Sequence, residues 1–255
     1  MNVIDLNSDI GEGFGSYQFG GDSTIISYIS SANIACGWHA GDPLTMEKTV
    51  AMAKQKGVAV GAHPGFPDLL GFGRRNMNVS YGEAKAYVQY QVGALLAFTK
   101  AAQVPLQHVK PHGAMYNMAC KDEKLAAAIC EGVAQVDDRL ILMGPSGSCL
   151  TAAAEQYGLR IANEAFADRA YSDDGTLVSR SVPGAVIEDE KTVIKRVLTM
   201  VQQGVVESIT GKQIALKAQS ICIHGDNPAA IALAKNLAFA LAQEGINVSP
   251  VHCFV

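Results

Sequence analysis

Seven short apolar or β-branched runs, at 3–10, 32–36, 57–63, 107–112, 139–143, 159–166 and 220–224, recur along the 255-residue chain with longer helical patterns between them. Runs of this length separated by amphipathic stretches read as strands in βαβ units, because a strand that returns parallel to its predecessor needs a helical crossover. The pattern predicts an α/β fold built on a parallel sheet. Helix starts support it: Asp42-Pro43 precedes 44–56, Ser80 precedes 81–102, and Asn227-Pro228 precedes 229–244. Each supplies a capping oxygen or a proline where the first turn leaves amides unsatisfied.

An open doubly wound sheet would gather its chemistry at one switch point. Here polar residues follow nearly every strand: Asn7, Asp9 and Glu12; His39 and Asp42; His63 and Asp68; Lys110 and His112; Asn163, Glu164 and Asp168; His224 and Asp226. A ring of such residues at carboxyl-terminal strand ends describes a (β/α) barrel mouth. The segment 247–251 is short and contains Pro250, so seven strands with an irregular closure are expected, in one barrel domain spanning 1–255. The Gly-, Pro- and Asp-containing stretch 172–187 reads as a lid or hairpin before the last helix pair. A net charge of -4 lacks the positive field that draws nucleic acid. Six scattered cysteines without a CxxC pair read as packed thiols in a reducing compartment. No leader pattern or long apolar run is present, so a cytoplasmic protein without membrane or nucleic-acid partners is expected.

Period-two alternation puts Asp5, Asn7 and Asp9 on one face of the first strand and Ile4, Leu6 and Ile10 on the other. Acids turned into a barrel are costly unless they meet a cation, donors or water, so Asp9 is expected to be a general base. Glu12 either contacts substrate or holds the amides of the glycine-rich turn 11–15. His108, Lys110 and His112 share a face of the fourth strand. Lys110 suits a developing oxyanion, His112 suits acid/base or metal-ligand duty, and His108 is expected at a solvated strand end outside the site. His63 ends a strand before the Pro64-Gly65 turn, which exposes it at the mouth and makes it catalytic in this reading. Arg75 and Arg169 are forks for a substrate carboxylate, whereas Arg74 and Arg180 are ordinary salt-bridge arms. Asn7, Glu12, His39 and His224 complete the expected substrate contacts. Cys36 is a packed thiol, and Asp42 caps a helix. The turn 144–148 is a weak anion-site signal, and the chain contains no GxxxxGK[ST] phosphate loop.

Six segments, DLNSDIGEGFG, ANIACGWHAGD, GAHPGFPD, VKPHGAMYN, FADRAY and HGDNP, occur in that order along essentially the whole chain. Together they resemble the LamB/YcsF family. The resemblance implies a seven-stranded barrel similar to the glycoside hydrolase/deacetylase superfamily. It also implies ATP-dependent opening of 5-oxo-L-proline to L-glutamate, with release of ADP and phosphate. ATP with Mg²⁺ would be the co-substrate, and 5-oxoprolinase subunits B and C would be the partners. Distant deacetylase relatives hold a divalent metal with an Asp pair and later histidines. Here Ile10 follows Asp9, so Asp9, His63 and His112 are the residues left for such an ion. A γ-lactam carbonyl is a resonance-stabilised amide; phosphorylating its oxygen gives an imidate-like species that water can attack. The alternatives are a metal-dependent carbohydrate deacetylase and a non-catalytic binding protein within the assembly. Asp9→Asn and Lys110→Met are both expected to keep the fold.

Overall fold

The computed structural model describes residues 3–17, 21–223 and 228–255. The chain begins with β1 (Val3–Ile10), α1 (Asp22–Ile25), β2 (Ser31–Ala35), α2 (Pro43–Lys56), β3 (Ala59–His63) and α3 (Tyr81–Ala102). It continues through β4 (Leu106–Val109), α4 (Gly113–Ala119), α5 (Glu123–Val136), β5 (Ile141–Pro145), α6 (Cys149–Gln156) and β6 (Arg160–Phe166). The last part holds α7 (Glu190–Gln203), β7 (Val205–Glu207), β8 (Gln213–Ala215), β9 (Ser220–Cys222), α8 (Pro228–Gln243) and β10 (Asn247–Val248).

Strands β1 to β6 follow one another around a parallel sheet, β9 joins β6, and β9 also pairs with β1. The ring is therefore a closed barrel of seven parallel strands with helices outside. The short β10 pairs only with Val3 and Ile4 at the start of β1. It ends before Pro250 and lies outside the ring, which β9 closes on β1. The β7–β8 antiparallel pair is an excursion that the strand pattern does not announce. Segment 172–187 forms a hairpin-like cover on 169–171, with Ala170 N donating to Ala185 O and Val178 N donating to Ala170 O.

The outward face of the strands, including Ile4, Leu6, Ile10, Ile34, Val60, Val109 and Leu142, is buried with the helices in one apolar layer. Burial of this kind supplies the main favourable term in folding. Local signals agree with it. Asp42 caps α2 by accepting from Thr45 N, and Ser80 and Glu83 form a reciprocal capping box on α3. At the amino end of the barrel Val251 packs on Ile141, Met143 and Ala162, and His252 N donates to Gln107 Oε1. The carboxyl-terminal segment thus closes the end of the barrel away from the mouth. Among the described residues no helix is long and apolar enough to cross a membrane.

Strand β4 stops at Val109, two residues after which Pro111 has no N–H to continue the ladder. Lys110 N still donates to Ala62 O and His112 N to Pro64 O, so the alternation carries beyond the strand. Lys110 and His112 therefore point the way the strand pattern requires, from a segment that is no longer strand.

Candidate active site

Above the apolar cluster of Val251, Ile141, Met143 and Ala162, the barrel interior carries layers of polar side chains up to the mouth. In its lower layer Asp5 Oδ1 accepts from Ser30 Oγ (2.7 Å) and Ser31 Oγ (2.6 Å), and Oδ2 accepts from Ser220 Oγ. Burial pushes the Asp5 carboxyl up to about 6 despite these donors. His108, expected at a solvated strand end, is fully buried here because the carboxyl-terminal segment covers that end. Its Nε2 meets Asn33 Oδ1 at 2.7 Å and its Nδ1 meets Gln107 Nε2 at 2.8 Å. Gly61 makes room for the ring, since a Cβ there would lie 2.0 Å from His108 Nε2.

Burial, reinforced by the Lys110 charge, pushes His108 down to about 3 from its ordinary 6.5. Below pH 6.5 the unfolded chain binds a proton that folded His108 refuses, so this group's contribution is lost as pH falls from 6.5 towards 3. The slope is about 1.4 kcal/mol per pH unit. His108→Gln, which can still donate to Asn33 and accept from Gln107, should flatten the fall in stability between about pH 6.5 and 4.5 by about one proton. Urea midpoints across that range test this, and parallel profiles for the two proteins would refute it.

In the middle layer Lys110 Nζ lies 2.7 Å from Glu164 Oε1, 3.1 Å from Asp9 Oδ1 and 3.2 Å from both Asn7 Oδ1 and Cys222 Sγ. Burial opposes its charge, but Asp9 and Glu164 outweigh burial and hold the ammonium well above the usual lysine range. An ammonium has three protons, and here they face carboxylate and amide oxygens. Lys110 thus differs from the expected oxyanion donor flanked by neutral histidines. Glu164 also accepts from Asn7 Nδ2 (3.1 Å) and from Tyr116 Oη (2.7 Å), while Asn33 Nδ2 donates to Asn7 Oδ1 and Asp9 Oδ1. Glu164, Asn33, Ser220, Tyr116 and Cys222 are not among the site residues expected from the sequence. Period-two alternation along β2 is the signal that points to Asn33, and the place of Glu164 near the carboxyl end of β6 is the weaker one that points to it.

At the mouth the structure brings together Asp9, Glu12, His39, His63 and His112. His63 Nδ1 is 2.7 Å from Lys110 O, and His63 Nε2 is 3.0 Å from His112 Nδ1 and 3.4 Å from Asp9 Oδ2. His112 Nε2 is 2.8 Å from Phe72 O. The fully buried His39 ring stacks flat on His112, with centroids 3.7 Å apart and planes 2° apart. Burial and the neighbouring imidazoles push His39 and His112 well below the ordinary histidine range. Burial and Asp9 push Glu12 up. Gly73, at φ 62°, sits where a Cβ would strike His39 and His112. From α3, Gln91 clamps the turn after His63, accepting from Gly65 N and donating to Gly65 O at 2.9 Å each.

Of the arginines, Arg75 is exposed and its guanidinium is held by Asp68, with Nε 2.9 Å from Oδ1. Arg74, expected to be a salt-bridge arm, instead lies over the Phe72 ring at 5.0 Å. Adjacent residues cannot both face Asp68, and Arg75 takes that place. Arg169 is buried and donates from Nη2 to Val178 O (2.6 Å). Cys36 is a buried thiol pushed up to about 12 by its burial, in keeping with a packed role. His224 lies outside the described residues.

The chain and its fold have counterparts among known proteins. A family model described as the LamB/YcsF family matches residues 4–254. The chain belongs to the LamB/YcsF family. Among LamB/YcsF relatives it is similar to the A subunit of 5-oxoprolinase from Clostridium beijerinckii, at 59% identity over 99% of each chain. It is also similar to the A subunit of 5-oxoprolinase from Thermococcus onnurineus, at 56% identity over 99% of each chain. Its structure resembles the crystal structure of a lactam utilization protein from Thermus thermophilus, with a TM-score of 0.93 and 46% identity, covering 97% of this chain and 99% of that one.

Proposed function

We propose that this LamB/YcsF chain carries the lactam-opening step of an ATP-dependent 5-oxoprolinase, acting in the cytoplasm with subunits B and C. The observation that carries the reading is the Asp9 carboxylate at the barrel mouth. It is braced by Lys110 and Asn33 from below and faces His63, in a chain similar over its length to relatives named as the A subunit of 5-oxoprolinase. In the balanced reaction 5-oxoproline, ATP and two waters become glutamate, ADP and phosphate.

The barrel's part begins with the lactam whose carbonyl oxygen has received the terminal phosphoryl group of Mg²⁺-bound ATP. That transfer turns a stable amide into an electrophilic imidate. Asp9 Oδ2 takes a proton from water as the water oxygen bonds to the former carbonyl carbon, and the C=N electron pair moves onto nitrogen. The proton that Asp9 has taken from water then passes to this nitrogen and makes it a leaving amine. Breaking the ring C–N bond then leaves an acyl phosphate, which the second water cleaves to glutamate and phosphate. Lys110 and Glu164 act by positioning Asp9, since every Lys110 proton has an acceptor within the protein. Arg169, whose Nε has no hydrogen-bond partner among the described residues, is assigned to the substrate carboxylate. Asn7 contributes beneath the site by linking Glu164 to Lys110.

Purified chain and its partners, mixed with 5-oxoproline and MgATP, should release glutamate only when this chain is present. Undiminished glutamate formation without it would leave the barrel a docking module. Release of acetate from N-acetylated sugars by the chain alone would favour the deacetylase chemistry instead.

A further inference from the structure

We infer that Glu12, His39, His63 and His112 form a binding site for one divalent transition-metal ion of the zinc class. The site draws on the same mouth as the lactam reading, but it rests on the chain's own donors and stands without any substrate. One ligand atom from each of the four residues lies within 4.8 Å of the other three. Three imidazoles and a carboxylate are a donor set suited to zinc and its neighbours rather than to magnesium or calcium.

The protons between the histidines point to a cation first. Lys110 O and Phe72 O can only accept, so His63 Nδ1 and His112 Nε2 carry the protons of those two bonds. A neutral imidazole has one N–H. The remaining nitrogens, His63 Nε2 and His112 Nδ1, are therefore both lone pairs, and they face each other at 3.0 Å. Two lone pairs at that distance need a cation between or beside them. The carbonyl bonds are themselves what metal-bound histidines commonly show, an outer contact that fixes tautomer and ring orientation.

A shared proton would not serve as well as a metal. One extra proton would join His63 to His112 and nothing more. It would leave both nitrogens of the fully buried His39, and the buried Glu12 Oε1, without a hydrogen-bond partner among the described residues. Glu12 Oε1 lies 3.6 Å from His39 Nε2 and 3.7 Å from His112 Nδ1, too far for hydrogen bonds but suited to ligands around a common ion. A single divalent cation satisfies Glu12 Oε1, His39 Nε2, His63 Nε2 and His112 Nδ1 at once. The donor set also differs from Asp9, His63 and His112. Asp9 Oδ1 is already occupied by Lys110 and Asn33, and Glu12 and His39 take its place.

The test uses the full chain alone, stripped with chelator and desalted, then titrated with Zn²⁺ by calorimetry and with Co²⁺ by visible absorption. One equivalent should bind, with the ligand-field bands of a low-coordinate cobalt site. His39→Ala and Glu12→Gln should each weaken Zn²⁺ binding by more than the roughly 10–100-fold typical of an outer-shell partner. Cys253→Ser, which removes the exposed thiol 3.6 Å from His252 Nε2, should leave the affinity unchanged. The inference is overturned if the folded wild-type chain takes up no stoichiometric metal. It is equally overturned if uptake survives both ligand substitutions or disappears with Cys253. Because the readout is metal uptake without lactam or partners, its failure leaves the 5-oxoproline reading intact, and failure of that reading leaves the metal site intact.

Discussion

Asp9→Asn should lower glutamate release by the reconstituted assembly roughly 10²–10⁴-fold, the usual worth of a positioned general base, while leaving the barrel folded. The structure explains why fold and activity should separate at this residue. Asp9 Oδ1 accepts from Lys110 Nζ and Asn33 Nδ2, and an amide oxygen in the same place can accept from both. The other carboxylate oxygen faces His63 Nε2 at 3.4 Å, where an amide NH₂ can donate instead. Lys110 keeps the Glu164 carboxylate at 2.7 Å, so its charge stays compensated. What the variant loses is the lone pair that takes the proton from water. Glutamate release should be measured beside the urea midpoint of the isolated chain and its co-purification with the partners. If glutamate forms at near wild-type rate, Asp9 is not the base, and the His63–His112 pair becomes the candidate. If the midpoint collapses, the residue is structural.

The barrel and its mouth are legible because two periodicities do most of the work of placing side chains. Alternation in DLNSDI turns Asp5, Asn7 and Asp9 inward, and all three meet buried partners there. The turn after His63 and the continuation of the β4 register past Pro111 bring His63 and His112 to one place, as strand ends of a parallel barrel must. The opposite end is harder to read. His108 lies near the start of β4, where a strand ordinarily meets solvent, and only the later segment around Val251 and His252 removes that solvent. Nothing local to β4 signals a cover from residues about 140 positions away. The arginines fail to resolve for a similar reason, since Arg74 and Arg75 are neighbours and the position of Asp68 alone decides which is tethered. Glu164 escapes assignment because RIANEAF alternates weakly, with alanines at 162 and 165, so its parity carries little contrast.

That unassigned carboxylate changes what should happen at Lys110. With neutral histidines as its only company, Lys110→Met would be a mild change. With Glu164 buried 2.7 Å away and Asp9 at 3.1 Å, it strips the cation from a desolvated pair. Removing one member of a buried ion pair typically costs about 3–5 kcal/mol, because the other charge is left uncompensated. Lys110→Met should therefore lower the stability of the isolated chain by about that amount, or prevent its folding. Glu164→Gln should cost less, since Lys110 retains Asp9, the new amide oxygen can still accept from Asn7 and its NH₂ can donate to the Tyr116 hydroxyl. The double variant carries no buried Glu164 charge and should be more stable than Lys110→Met alone, although it has one more substitution. Urea denaturation of the four proteins closes a double-mutant cycle, with a favourable coupling of roughly 1–3 kcal/mol expected for groups in direct contact. Additive losses would mean that Lys110 and Glu164 do not hold each other in the folded chain. Lys110 would then have protons to spare for a substrate oxygen, and an oxyanion role for it would replace the positioning role.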